Sequence, residues 1–249
     1  MAKNFLNIIS RFERKAAYLQ GKGYGKATIE QEIKLALSLL DTRPILAIDI
    51  GANVGDYTSE LRRRCENLEI HVFEPSAVNV KKLNYRFNGD TKIKIIPNAI
   101  SDSNGVVKLY ADKLGSGLGS LTKRKLDHFD ISFDATESVN SIRFEDYWVT
   151  ELCGRQIDIV KLDIEGHEHT ALAAFGRALV ATKIIQFEFG GTNIDTRTFF
   201  QDFWYFFQDN NFEIFRITPL GLQNISKYSE NDEFFSTTNY LAVNRKFIK

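Results

Sequence analysis

Proline, cysteine and net charge are what this chain has least of. Four prolines and two cysteines in 249 residues leave no basis for a collagen-like, proline-rich or disulfide-stapled protein. Cys65 and Cys153 show no CxxC spacing and read as buried or idle thiols of a reducing compartment, with a single pairing between them left open. Lys plus Arg equals Asp plus Glu at 32 each. That balance gives no long-range attraction to a phosphate backbone or anionic lipid, which argues against a dedicated nucleic-acid binder and leaves only local basic patches. No uninterrupted apolar stretch marks a secretory leader, because residues 1–20 are broken by Lys3, Arg11, Glu13, Arg14 and Lys15. Neither secretion nor stable membrane insertion is expected, and the cytoplasm is the expected compartment. With 43% hydrophobic and 26% charged residues the composition is globular, and a chain this long buries about 70 to 75% of its unfolded surface without staples.

Residues 5–19 set Phe5, Ile8, Ile9, Phe12, Ala16 and Leu19 at helical spacing, which predicts an amphipathic helix. Its polar face is only modestly basic, so packing on the rest of the domain or on a second subunit is favoured over a membrane surface. Gly21, Gly23 and Gly25 then interrupt the chain, and Thr28 with Gln31 offers a capping box for a helix ending near Leu40. Residues 1–44 are therefore expected to form an N-terminal helical extension. Residues 45–249 are expected to be one domain, since no linker, repeat or low-complexity tract divides them.

Beyond Pro44, short apolar runs fall at 45–50, 69–73, 92–96, 157–162, 184–189, 213–217 and 240–243, with helices expected near 56–65, 76–88, 167–180 and 196–210. The first five runs are apolar on both faces. That is the pattern of a mostly parallel sheet covered by helices on both sides. Accessory strands are expected at 106–110 and 141–144, and LGSGLGSLTKRK between them is a mobile-loop candidate.

The residues Asp49-Ile50-Gly51-Ala52-Asn53-Val54-Gly55-Asp56 follow the first strand and lead into a helix. Strand, tight loop and helix are where an open α/β sheet binds a nucleotide-like cofactor, with small residues letting the backbone approach the ligand. Glu74 ends the second strand, at the spacing at which an acidic side chain meets ribose hydroxyls. The G-x-G-x-x-G pattern of dinucleotide sites is absent, and residues 49–56 hold two aspartates and no Lys or Arg. An anionic pyrophosphate is poorly served there. The ammonium and sulfonium of S-adenosylmethionine fit the charge better, with Asp49 suitably signed for the amino end. The competing reading is a glycine turn that only permits helix and sheet packing.

DIGANVGDYT, FEP at 73–75, NAISDSNG at 98–105, IDIVKLDIEGHE at 157–168 and IIQFEF at 184–189 together resemble the FkbM family of S-adenosylmethionine-dependent methyltransferases. The resemblance implies a class I methyltransferase fold, Rossmann-like, with a seven-stranded mostly parallel sheet whose last strand is antiparallel. By the same resemblance Asp49, Gly51, Asn53 and Gly55 form the cofactor loop, Glu74 is the ribose ligand, and Ser101 and Asp102 form the adenine-side loop. His167 departs from the small residue common at its position in the family.

Methylation of a hydroxyl also requires a proton to leave, and Asp163, Glu165 and Glu188 stand at the ends of the fourth and fifth strands, where clustered carboxylates raise one another's pKa toward a useful base. Their competing roles are helix caps or partners for Lys161 or Arg177. His167 is a further candidate base, and a surface histidine is the alternative. The H-E-H spacing of His167 and His169 does not match a zinc motif. A magnesium ion held by Asp163 and Glu188 is weighed and not favoured. The aromatics of 199–207 read as core or subunit interface, and Lys123-Arg124-Lys125 as solvated surface that could also touch an anionic acceptor. The reading is an enzyme that methylates a hydroxyl of a sugar, glycan or secondary metabolite, with a homo-oligomer left open. Its rivals are an NAD-dependent oxidoreductase and a non-catalytic cofactor-binding module.

Overall fold

The computed structural model describes residues 2–25 and 28–247. Two helices open the chain, α1 (Ala2–Leu19) and α2 (Ile29–Ser38), followed by β1 (Leu46–Ile50), α3 (Asp56–Arg64), β2 (Glu69–Phe73), α4 (Ala77–Arg86) and β3 (Ile93–Ile96). A small unit of β4 (Ala99–Ile100), β5 (Gly105–Ala111) and β6 (Ala135–Ile142) precedes α5 (Phe144–Thr150) and β7 (Ile157–Leu162). The chain then forms α6 (Glu168–Ala173), β8 (Thr182–Phe189), α7 (Thr192–Thr196), α8 (Phe200–Asp209), β9 (Phe212–Thr218), β10 (Gly221–Asn224) and β11 (Thr238–Asn244).

The main sheet runs β10-β9-β11-β8-β7-β1-β2-β3, with β11 antiparallel to both β8 and β9. Seven of these strands are the apolar runs read from the sequence. The eighth, β10, corrects the seven-strand expectation: a turn at Pro219 and Leu220 folds it back antiparallel on β9, extending the sheet at its edge. Every residue of β1 and β7 is buried, because both faces are covered. Leu46, Ile48 and Ile50 pack on one face, with aromatics of α5 and α8, while Ala47 packs on the other with Ile33 of α2 and Leu61 of α3. Alternate side chains of one strand thus enter two cores.

The chain leaves β1 toward β2 on one side, and β7 lies on the other. Loops after β1 and β7 therefore diverge and open a crevice at the carboxyl ends of the strands. Pairing of Ile50 with Leu162 sets Gly51 beside Asp163. The small sheet runs β4-β6-β5 and stands over this crevice, with residues 112–134 as the long connection of its β5–β6 hairpin.

Local differences from the sequence expectations have identifiable causes. The Thr28–Gln31 capping box does not form: Thr28 Oγ1 donates to Glu32, and Gln31 Nε2 donates to the Thr218 carbonyl at 3.0 Å. The strand expected at 141–144 ends at Ile142, with its arm reaching back to Ala135, and Phe144 opens α5. Helix α6 is short because the chain bends into a 3-10 turn at Gly176–Ala181. In α8, Phe200, Phe203 and Phe207 are fully buried, in keeping with the core reading. Helix α1 does not pack on the domain; its side chains from Phe5 to Ala16 are exposed.

Candidate active site

The loop after β1 has a left-handed backbone at alternate positions, with φ of 83° at Gly51, 52° at Asn53 and 83° at Gly55. The amides of Gly51 and Ala52 donate to the Phe73 carbonyl at 3.0 and 3.1 Å, tying the loop to the end of β2. The glycines serve packing here. A Cβ on Gly51 would sit 1.9 Å from the Asp163 carbonyl oxygen, and one on Gly55 would strike Phe87 and Leu83 at 2.6 and 2.8 Å. Their small size is already demanded by close helix and strand contacts, the competing reading of this motif.

Glu74 is the junction of the site. Its Oε2 accepts from the Asn53 amide at 2.8 Å and its Oε1 from the Ser76 amide at 2.9 Å. Burial nonetheless pushes its pKa up to about 7, against the lowering effect of those bonds. Each oxygen retains acceptor capacity beyond the bond it makes.

Above the loop lies a narrow pocket, about 730 Å³ when its open mouth is counted and about 60 Å³ of free room inside. Gly51, Asn53 and Glu74 line one side, and Asp163 and Glu165 another. Leu114, Gly115, Ser116, Gly117, Gly119 and Leu121 form its roof, so the glycine-rich stretch covers the pocket. Among the described residues the lining holds Glu74, Glu137, Asp163 and Glu165 and no Lys or Arg.

The other residues singled out in the sequence stand off the lining. Asp49 is buried on the helix-covered face, where its Oδ2 accepts from the Thr58 hydroxyl at 2.5 Å and its Oδ1 has no partner. Burial raises its pKa, and Lys161 on the adjacent strand partly offsets this. Gly55 packs behind the loop. Ser101, Asp102 and His167 meet one another instead: Ser101 Oγ lies 3.3 Å from His167 Nε2 and donates to Asp102 Oδ1 at 3.2 Å. Burial lowers the His167 pKa, with Asp102 acting in the opposite sense.

Asp163 and Glu188 follow the paired residues Leu162 and Phe187 of β7 and β8. Lys161 donates to Asp163 Oδ2 at 2.7 Å. Glu165 has a left-handed backbone, φ 55°, uncommon for a residue with a side chain. Burial, reinforced by Asp163, pushes its pKa to about 8. Burial and the neighbouring Asp163 and Glu165 raise Glu188 well above the usual carboxylate range. Among the described residues no three His, Cys, Asp or Glu side chains are grouped to hold a metal ion.

Three contributors were missed in the sequence. Glu168 accepts from the amides of Ile164 and Gly166 at 2.8 and 3.2 Å, clamping the turn that carries Asp163 and Glu165. Arg124, read as solvated surface, has a side chain only 9% exposed and is paired with Glu165 at 2.9 Å and Asp195 at 3.2 Å. Lys161 was considered only as a partner for carboxylates, and its ammonium also lies 5.2 Å over the ring of Tyr57.

The model of the methyltransferase FkbM domain matches residues 49–214, more than half of the chain. The chain belongs to the FkbM methyltransferase family. It is a S-adenosylmethionine-dependent methyltransferase, and its sheet order and antiparallel β11 are those of the class I fold. A 2-O-methyltransferase from Sinorhizobium fredii, NoeI, is 24% identical over 194 residues, covering 73% of this chain and 78% of the relative. Among solved structures, a rRNA methylase from Streptococcus thermophilus is 13% identical with a TM-score of 0.47, covering 88% of this chain and 97% of that one. The plantazolicin methyltransferase BpumL in complex with SAH is 11% identical with a TM-score of 0.46, covering 96% and 90%. No helix among the described residues is long and apolar enough to cross a membrane.

Proposed function

We propose that this methyltransferase acts on oxygen, at a hydroxyl of a sugar, glycan or secondary metabolite. The observation that carries the reading is the pocket wall of Glu74, Asp163 and Glu165 without a Lys or Arg. Such a wall suits a cationic cofactor and supplies carboxylates for a hydroxyl proton. The name of the NoeI relative, a 2-O-methyltransferase, supports oxygen as the acceptor atom.

In this reading Gly51, Asn53 and Gly55 shape the cofactor loop, and Glu74 accepts the ribose hydroxyls with its remaining lone pairs. Asp49 acts from behind the loop, as a buried negative charge toward the methionine end. Ser101 and Asp102 stand behind the adenine side, next to the lining residues Asn98, Ala99 and Ile100. The cofactor supplies a methyl group on a sulfonium and leaves as the neutral thioether, while the acceptor hydroxyl loses its proton. Asp163 and Glu165 line the pocket to receive that proton, Glu188 adjoins them, and His167 is the alternative base. Positioning accounts for much of such a reaction, and a roof that excludes water aids it.

The test is an acceptor screen read by S-adenosylhomocysteine release, with mass spectrometry locating the added methyl group. Methylation on oxygen is the expected result, and methylation on nitrogen or carbon overturns the oxygen assignment. Calorimetry addresses the cofactor separately: tighter binding of NAD than of S-adenosylhomocysteine overturns the site assignment. Cofactor binding without turnover on a broad acceptor panel, alongside capture of a macromolecular partner, favours a binding module.

A further inference from the structure

Helix α1 holds its bulky apolar side chains in the open. Phe5, Leu6 and Phe12 are 62–69% exposed, and Ile8, Ile9 and Leu19 46–53%. At 3.6 residues per turn, Phe5, Ile8, Ile9, Phe12, Ala16 and Leu19 share an arc about 100° wide. Lys15 and Arg11 follow one border of that arc, and Arg14 lies on the opposite face. Against these three basic residues the described side chains of α1 offer one acid, Glu13.

Among the described side chains, the helix is fixed at its C-terminal end only. Tyr18 packs edge-on against Tyr24 with ring centroids 5.2 Å apart, Lys22 donates to the Asn231 carbonyl at 2.5 Å, and Gly21 abuts Ile217 and Thr218 of β9. An amphipathic rod is thus held out from the body.

We propose that α1 docks on an anionic lipid surface, its apolar arc lying in the interface and Arg11, Arg14 and Lys15 meeting the headgroups. Charge complementarity selects this occupant. A second copy on the apolar arc would set Glu13 alone against Arg11 and Lys15 and leave Arg14, on the opposite face, unmet, whereas the phosphate headgroups around a helix sunk in the interface answer all three. The helix lies on the surface and does not span it, since Arg11, Glu13, Arg14 and Lys15 interrupt its length. Because the whole chain is neutral, the remainder carries the compensating acid. The attraction is therefore local to α1 and screened by salt.

Flotation of the full chain with vesicles of phosphatidylcholine and phosphatidylglycerol, against vesicles of phosphatidylcholine alone, tests this. Binding to the mixed vesicles that falls with added salt is expected. Replacing all three basic residues, Arg11→Gln, Arg14→Gln and Lys15→Gln, is expected to weaken it by roughly 100-fold. The pair Phe5→Ser and Phe12→Ser is expected to abolish it. An unchanged melting temperature shows that both variants are folded, independently of any cofactor. Equal flotation on both vesicle types overturns the proposal, as does a Phe5→Ser, Phe12→Ser variant that floats like the parent. A dimer in light scattering that this same variant splits also overturns it, by showing a second copy on the apolar arc.

Discussion

Arg124 donates to Glu165 Oε2 at 2.9 Å, joining the roof of the pocket to a carboxylate on its wall. The same guanidinium reaches Asp195, and the Ser120 hydroxyl donates to the Glu165 carbonyl at 2.8 Å. A ligand of cofactor size needs residues 114–121 to move aside and return, so these bonds act as a latch. Arg124→Ala is expected to speed S-adenosylhomocysteine dissociation by about tenfold or more, since a charged hydrogen bond contributes roughly 1.5–3 kcal/mol. Stopped-flow release and hydrogen exchange over 112–126 read this out; unchanged rates in both remove the latch.

Glu74 gives a pH-dependent prediction for the cofactor. Its carboxyl is raised to about 7 by burial, and ribose hydroxyls donate better to the ionised form. Affinity for S-adenosylhomocysteine is therefore expected to rise between about pH 6 and 8 as the proton is released. Glu74→Gln is expected to bind about 10- to 100-fold more weakly at the upper end, with a flatter profile. Calorimetry across that range checks both; a wild-type slope retained in the variant assigns it to another group.

The parallel sheet was legible because the runs of β1, β2 and β7 are too apolar for an exposed face, and length alone separates them from helices. The eighth strand was not legible. Gly221–Asn224 is short and mostly polar or small, and it exists because β9 offers it an edge. The site was legible where one short segment carries the geometry, as in the loop 51–55 or Glu74 at the end of β2. It failed where partners are distant in sequence. Arg124 sits in a charge run that resembles solvated surface until the fold brings Glu165, 41 residues away, within 2.9 Å. Gly51 shows a different limit: its spacing suggests a ligand cradle, yet the atom that excludes a side chain is the Asp163 carbonyl.

Glu168 is expected to make stability pH-dependent in an unusual direction. It is 1% exposed, and burial raises its pKa to about 7 even though two amides donate to it. A group raised in the folded state binds its proton more tightly there than in the unfolded chain. Its contribution is complete below the unfolded value and is lost as pH rises through about 7, at most about 3 kcal/mol. The lowered His71, His167 and His169 act oppositely, losing stability as pH falls. Glu168→Gln keeps an acceptor for both amides and cannot titrate. The decline in denaturation midpoint between about pH 5 and 8 is expected to be smaller in the variant; an identical decline places the effect elsewhere.

The carboxylates at the ends of β7 and β8 carry the most exposed prediction. Pairing of Leu162 with Phe187 puts Asp163 and Glu188 side by side, and Lys161 holds Asp163 by a 2.7 Å hydrogen bond. The raised pKa of Glu188 has burial as its first cause and the neighbouring Asp163 as its second, so Glu188 holds a proton more readily than a free carboxylate does. If the acceptor proton passes to this pair, Asp163→Asn and Glu188→Gln each lower turnover by about 100-fold or more, while S-adenosylhomocysteine affinity stays near the parent value. The rates are measured on the acceptor found by the release screen, and the affinities by calorimetry. Chelator separates two ways in which the carboxylates act: turnover that survives it fits a direct base, and loss restored by magnesium fits a metal cradle. Near-normal turnover in both variants would sink the carboxylate assignment and move the proton transfer to His167, where Ser101, itself bonded to Asp102, already provides a hydrogen-bonded partner.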